Sequence, residues 1–138
     1  MSKLHIQVVT PDGLVFDGDA GFLVARTPEG EIGIMSNHLP LIVPLAIDSL
    51  VIKEERGGKI IMTIAVNGGI MEVRDNQVSI LADSAEQAGE IDLDRAMRAK
   101  ERAERNLEKA KKDHHIDNMK RAEVALNRAI NRIHVSRK

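Results

Sequence analysis

Ile91-Asp92-Leu93-Asp94-Arg95-Ala96 is where the chain changes its repeat. Upstream, to about Asp83, short apolar runs are broken by Gly, Pro, Asn or Asp at roughly the eight- to twelve-residue spacing of strands and turns in an all-β sandwich or barrel. Downstream, neither Gly nor Pro occurs through residue 138, and the apolar residues recur at helical spacing. The chain therefore reads as a β region followed by an α region. At 138 residues it suffices for one domain with an appendage, not for two full-sized domains.

Within the first region Leu4, Ile6 and Val8 alternate with His5 and Gln7 as on a half-buried strand, and Pro11-Asp12-Gly13 supplies a turn. Further strands are expected at residues 14–16, 21–26, 41–47, 50–54, 60–66, 70–73 and 78–81, with Gly57-Gly58 and Asp75-Asn76 at hairpin tips. Phe16 and Phe22 are the only aromatic residues, so the core is expected to be aliphatic. In the second region Asp92 is an expected N-cap for a helix over residues 93–112, and Asp117 for a second helix to about Val135. The joint between them, Lys111-Lys112-Asp113-His114-His115-Ile116, lacks the Gly or Pro that would impose a bend. A closed antiparallel hairpin and an opened, nearly continuous rod both remain open.

Cysteine is absent, which excludes disulfides, thiolate metal sites and cysteine nucleophiles. No apolar run reaches the roughly eighteen residues of a membrane span, and the N-terminus lacks the apolar stretch of a secretory signal. A cytosolic address is expected, with membrane contact only through a partner. The net charge of −1 conceals an asymmetry: residues 1–89 carry 6 Lys+Arg against 12 Asp+Glu, whereas residues 90–138 carry 14 against 9. An acidic first part and a basic second part imply separate partners or mutual attraction, unless they are simply two solvated surfaces.

At about 100° per residue, Arg95, Arg98, Arg102 and Arg105 fall within about 80° of arc on the first helix. They flank an apolar face of Leu93, Ala96, Ala99, Ala103, Leu107 and Ala110. Arg121, Arg128 and Arg132 fall within about 40° on the second, beside Met119, Ala122, Ala125, Leu126, Ala129, Ile130 and Ile133. If the apolar faces pack antiparallel, both arginine flanks lie on the same side of the contact. Such a double row of guanidinium groups suits a polyphosphate or a carboxylate cluster. The blander reading pairs these arginines with Glu101, Glu104, Glu108 and Glu123, Glu101 and Arg105 having the favourable i,i+4 order. The alanines bury little area, so the hairpin is expected to be marginally stable and easily opened.

Other polar residues carry less. Gly68-Gly69 is followed by no Lys-Ser/Thr and reads as a turn or close packing rather than a phosphate loop. His38 suits a loop hydrogen bond, and adjacent His114 and His115 have no third ligand at metal spacing. No metal site is expected. No nucleophile, base and orienter set is found, so a non-catalytic protein is expected. A nucleic-acid-binding or adaptor module using the basic helices is the alternative, opposed by the acidic first region and the absence of aromatic residues after Phe22.

Five strings in order, Val9-Thr10-Pro11-Asp12-Gly13, Gly30-Glu31-Ile32-Gly33-Ile34, Asn37-His38-Leu39-Pro40-Leu41, residues 66–73 and residues 80–86, resemble the epsilon subunit of bacterial F-type ATP synthases over essentially the whole chain. The resemblance implies a ten-stranded N-terminal β-sandwich (residues 1–86) followed by a C-terminal two-helix antiparallel hairpin that can extend (residues 87–138). It implies a non-catalytic rotor subunit that couples the gamma subunit to the c-ring at the cytoplasmic face of the bacterial cell membrane. It further implies that the extended hairpin reaches the alpha/beta catalytic head, meets an acidic region of beta and restrains ATP hydrolysis. Glu31 and His38 match positions facing the c-ring. The string Ile91-Asp92-Leu93-Asp94-Arg95-Ala96 matches the family's ATP-binding pattern Ile/Leu-Asp-x-x-Arg-Ala. ATP ligands matched by position are Glu86, Ile91, Asp92, Arg95, Arg128 and Arg132, with Arg102 at a position where the family's spacing varies.

Overall fold

The computed structural model describes residues 3–137. Eight strands come first: β1 (Leu4–Thr10), β2 (Gly13–Ala20), β3 (Phe22–Thr27), β4 (Gly30–Met35), β5 (Leu41–Lys53), β6 (Ile60–Arg74), β7 (Gln77–Ala82) and β8 (Ala85–Gln87). A 3₁₀ turn (Ala88–Glu90) leads to helices α1 (Leu93–Lys112) and α2 (Ile116–Ser136). The class is the expected one, a β-sandwich followed by a closed hairpin. The strand count is eight, not ten.

The difference lies in two long strands. Residues 41–47 and 50–54, expected as separate strands, run together as the 13 residues of β5, which end at Lys53. Residues 60–66 and 70–73 likewise merge in the 15 residues of β6. The sheet order is β2-β1-β7-β6-β5-β3-β4, with β8 also beside β6. β6 pairs with β8 through residues 64–66 and with β7 through residues 69–74, while β3 meets β5 only at residues 51–53. Each long strand thus serves both layers, β4-β3-β5-β6-β8 and β5-β6-β7-β1-β2, and ten segments are drawn from eight strands.

A strand that feeds two facing layers must change which residues point inward. Ile64 and Val66 of β6 lie in the core, and so do Met71 and Val73; on β5 the set passes from Leu45 to Leu50 and Ile52. Because side chains alternate strictly along a strand, each strand slips by one residue between those sets. In β6 the slip falls at Gly68 and Gly69, at φ +86° and +139°. A Cβ on Gly69 would run into the Leu81 carbonyl oxygen, so no side chain fits there. β4 is not among the strands expected from the sequence, because Gly33 interrupts its apolar alternation. The Phe22 ring lies over Gly33 and supplies the missing apolar surface. β8 is only three residues long.

Thr63, Ile64, Ala65, Val66 and Asn67 are buried in succession, so both faces of β6 are covered there. One face is the aliphatic core; the other carries α2, which lies against β5 and β6. The contact mixes apolar and polar groups: Val135, one turn from Asn131 on the same face of α2, is fully buried. Asn131 Nδ2 donates to the Val66 carbonyl at 3.2 Å, and Asn67 Nδ2 donates to Ser84 Oγ at 2.8 Å.

The helices meet along an alanine seam: Ala96, Ala103 and Ala110 of α1 and Ala122 and Ala129 of α2 are buried at seven-residue intervals. Ile130, expected on the packed face, is 45% exposed. At the joint, His115 N–H donates to the Ala110 carbonyl (2.9 Å) and His114 N–H to that of Lys111 (3.3 Å), the two bonds of a Schellman cap. That motif puts its C′ residue in the left-handed region. Here it is His114, at φ 52°, where glycine would be free of strain. The N-cap of α2 is His115, not the expected Asp117: its Nδ1 accepts from the Asn118 N–H at 3.3 Å, so the helix starts two residues early.

Candidate functional site

Where the hairpin base meets the sandwich there is a cavity of about 650 Å³. One wall is the turn between β1 and β2 with the start of β2, giving Asp12, Leu14 and Val15; another is Ser84, Ala85 and Glu86 at the start of β8. The helical side is built by Ile91, Asp92, Arg95 and Arg102, with Arg132 arriving from α2. The cavity therefore gathers six of the seven expected ATP-site residues: Glu86, Ile91, Asp92, Arg95, Arg102 and Arg132. Arg128 lies on α2 one turn before Arg132 and is not part of the cavity lining.

Local structure fixes several of these groups. The Asp92 carboxylate caps α1 by accepting from the Arg95 N–H at 3.0 Å, which leaves its other oxygen uncommitted. Gln87 Nε2 donates to the Val15 carbonyl at 2.8 Å and ties β8 to β2 across the cavity wall. Arg132 Nε stands 2.7 Å from Glu86 Oε1, but its N–H does not line up with that oxygen, so the contact is ionic rather than hydrogen-bonded. Arg128 Nε is buried and also without a hydrogen-bond partner. Two buried guanidinium N–H groups that make no hydrogen bond are costly to leave so. Among the described residues no ion pair joins these arginines to Glu101, Glu104, Glu108 or Glu123; Arg132–Glu86 is the one ion pair that the hairpin makes. No group of three or more His, Asp or Glu side chains among the described residues has metal-holding geometry.

Arginine spacing and the string 91–96 are enough to point to the helical half of this cavity. Its opposite wall carries no comparable signal in the sequence. Pro11-Asp12-Gly13 marks only a turn, and nothing local says which surface a turn will face.

Glu31 and His38 occupy opposite ends of β4. Glu31 sits at its start, across from Arg26, and His38 lies in the loop after it, where its Nδ1 is 2.6 Å from the Leu39 carbonyl oxygen. About 13 Å of strand separates Glu31 from Met35, so the two stand at different ends of this edge strand. A second surface crosses the outer face of the β2-β1-β7-β6-β5 layer. Leu14, Val9, Leu81, Ile70 and Pro44 stand side by side in register on those five strands. Leu14, Leu81 and Ile70 are 51–63% exposed, and Ile42, two residues along β5 from Pro44, is 71% exposed. An apolar row of that length facing water marks a docking face.

Residues 3–88 match the family model described as ATP synthase, Delta/Epsilon chain, beta-sandwich domain, and residues 90–137 match the long alpha-helix domain of the same chain. The chain belongs to the ATP synthase delta/epsilon family. A subunit of the Euglena gracilis mitochondrial ATP synthase, solved by cryo-EM with OSCP, F1 and c-ring in rotational state 1, superposes with a TM-score of 0.79 at 22% identity, covering 100% of this chain and 83% of that one. A chain of the Tetrahymena thermophila mitochondrial ATP synthase central stalk and c-ring superposes at 0.52 with 20% identity, over 65% and 70% of the two chains. At such identities the likeness is one of fold. As a delta/epsilon subunit the protein is a non-catalytic component of the ATP synthase central stalk. Among the described residues no helix is long and apolar enough to cross a membrane.

Proposed function

We propose that this delta/epsilon subunit is the regulatory epsilon subunit of a bacterial, proton-translocating F-type ATP synthase, and that its folded hairpin binds ATP. What carries the ATP reading is the cavity at the hairpin base, where Glu86, Ile91, Asp92, Arg95, Arg102 and Arg132 converge. Its two sides are chemically unlike. Carboxylates of Asp92, Glu86 and Glu90 accept from the amino and hydroxyl groups of a nucleoside, and the arginine flank supplies forked donors for a triphosphate. Arg128, one turn along α2 with an unsatisfied buried Nε, extends that flank.

The sandwich seats on the gamma subunit through the apolar row Leu14, Val9, Leu81, Ile70 and Pro44, and meets the c-ring through Glu31 and His38. The hairpin leaves the sandwich, extends to the acidic region of beta in the alpha/beta head and restrains hydrolysis; ATP favours the folded form. The protein is thereby peripheral to the cytoplasmic face of the cell membrane. The contact it must break lies between α2 and β5 and β6; breaking it exposes Val135, and water replaces the Asn131–Val66 hydrogen bond at modest cost.

Calorimetric titration of the full chain tests the site. ATP binds the wild type, and Asp92→Ala or Arg128→Ala weakens binding about tenfold or more, the worth of one charge-assisted hydrogen bond. Equal affinity in all three proteins rejects the assignment. Retention of gamma by the chain, with faster hydrolysis by the assembled enzyme after removal of residues 90–138, tests the rotor and inhibitor roles.

A further inference from the structure

The cationic flank of the hairpin does not stop at the basal cavity. A second cavity of about 490 Å³ lies between the helices toward the joint, where Asn106, Lys109, Asp113, Asn118 and Arg121 stand around three alanines. At about 100° per residue Arg95, Arg102 and Lys109 share one flank of α1, and Arg121, Arg128 and Arg132 share one flank of α2. Both cavities therefore open on the same side of the hairpin, one after the other along a single groove line. From Arg95 to Lys109 it runs for about 21 Å at 1.5 Å per residue.

The two halves of the groove differ in charge. At the base, Asp12, Glu86, Glu90 and Asp92 face the arginines. Farther along, Lys109 and Arg121 share their cavity with a single acid, Asp113, at the end of α1. Glu104 and Glu123 project about 140° or more away from this flank, and Glu101 and Glu108 lie about 80–140° from it. Lys109 and Arg121 make no ion pair among the described residues, and Arg128 Nε is buried without an acceptor. Alanine explains why a groove exists at all, since a seam of small side chains leaves the space between the flanking cations unfilled.

From this we infer that the hairpin groove is a track for an extended chain of phosphate groups, inorganic polyphosphate, whose length carries it past the nucleotide cavity to Lys109 and Arg121. The inference shares the basal arginines with the ATP reading but adds a ligand class and two residues that ATP does not need. A flexible phosphate chain suits the groove better than an acidic peptide. A peptide helix would need an apolar floor to cover, and here the alanines are largely spent on helix packing. Forked guanidinium donors also match phosphate oxygens in pairs.

The test titrates the full chain with tripolyphosphate, long-chain polyphosphate, polyglutamate and ATP, with affinities expressed per phosphate or carboxylate. Long-chain polyphosphate is expected to bind wild type about tenfold more tightly than tripolyphosphate. The double variant Lys109→Gln/Arg121→Gln is expected to lose that advantage while its affinities for tripolyphosphate and ATP stay unchanged, each lost contact being a charge-assisted one. Both side chains are exposed, and unchanged helix content by circular dichroism shows that the variant folds. Equal wild-type affinity for the short and long chains overturns the track. So does a double variant that binds the long chain as wild type does, or polyglutamate binding as tightly as polyphosphate, which would mark an acidic-peptide surface. Loss of the long-chain advantage in a protein that binds no ATP would retain the track and reject only the nucleotide reading.

Discussion

The sandwich and the hairpin solve the burial problem in opposite ways. In the sandwich, Leu4, Ile6, Leu23, Ile34, Ile52 and Ile64 are fully buried, and pairings such as β1 with β7 and β3 with β5 join strands far apart in sequence. In the hairpin the buried residues are mostly alanines, and the seam joins segments that follow each other directly. Burial of a large aliphatic side chain is worth about 1.5–3 kcal/mol, and an alanine a fraction of that. A rigid body is thus coupled to an appendage that holds its form weakly, an arrangement suited to a fixed seat carrying a movable arm.

The largest expected effect tests the rigid half. Ile64→Ala removes a fully buried side chain from β6 at the centre of the sheet, and should cost about 2–5 kcal/mol. Chemical denaturation followed by hydrogen exchange in β6 and β7 reads it. A loss below about 1 kcal/mol would mean that the sandwich core tolerates collapse, and the contrast with the hairpin would fail.

Part of that contrast is legible in the sequence alone. Alternation at Leu4, Ile6 and Val8 and the change of period at residues 91–96 suffice for the order of the two regions, because those signals are local. The continuity of β5 and β6 is not legible. Gly68-Gly69 has the look of an interruption, whereas in the fold these glycines carry the strand through its phase slip. The same limit applies to the site. Arg95, Arg102 and Arg132 announce themselves through helical spacing, but Asp12, Leu14 and Val15 reach the cavity only through the pairing of β1 with β2 and the docking of the hairpin. The shift of the α2 N-cap from Asp117 to His115 has a local cause. The Schellman cap places His115 where its ring nitrogen can accept from Asn118, and helix assignment by residue type favours Asp over His.

A smaller effect sharpens the view of the arm. His114 holds the left-handed conformation that closes the hairpin, at a cost of about 1 kcal/mol relative to glycine. His114→Gly should stabilise the closed joint by a comparable amount, offset in part by the greater freedom of the unfolded glycine. Slower amide exchange at residues 113–118, with no change in the sandwich, is the expected signature. If exchange at the joint speeds up, left-handed strain at His114 is not what limits the closed form.

The smallest effect returns to the sandwich, at its edge. His5 on β1 lies between two carboxylates of β2, with Nε2 2.7 Å from Asp17 Oδ1 and Nδ1 2.8 Å from Asp19 Oδ1. Both contacts are favourable together only when each ring nitrogen carries a proton. The hydrogen bond to Asp19 and the charges of Asp17 and Asp19 accordingly raise the His5 pKa above its ordinary 6.5, outweighing desolvation. A group whose pKa is higher folded than unfolded contributes in full below its unfolded value and loses that contribution as pH rises through its folded value. Wild type should therefore lose stability relative to His5→Gln as pH rises above about 6.5. The shift is small because the pair is exposed to water. Edge strand β2 has β1 as its one full-length partner, so the loss should appear first as faster exchange along β2. A stability difference between the two proteins that stays flat from acid to alkaline pH would show that the carboxylates hold His5 no more tightly in the folded chain than in the unfolded one.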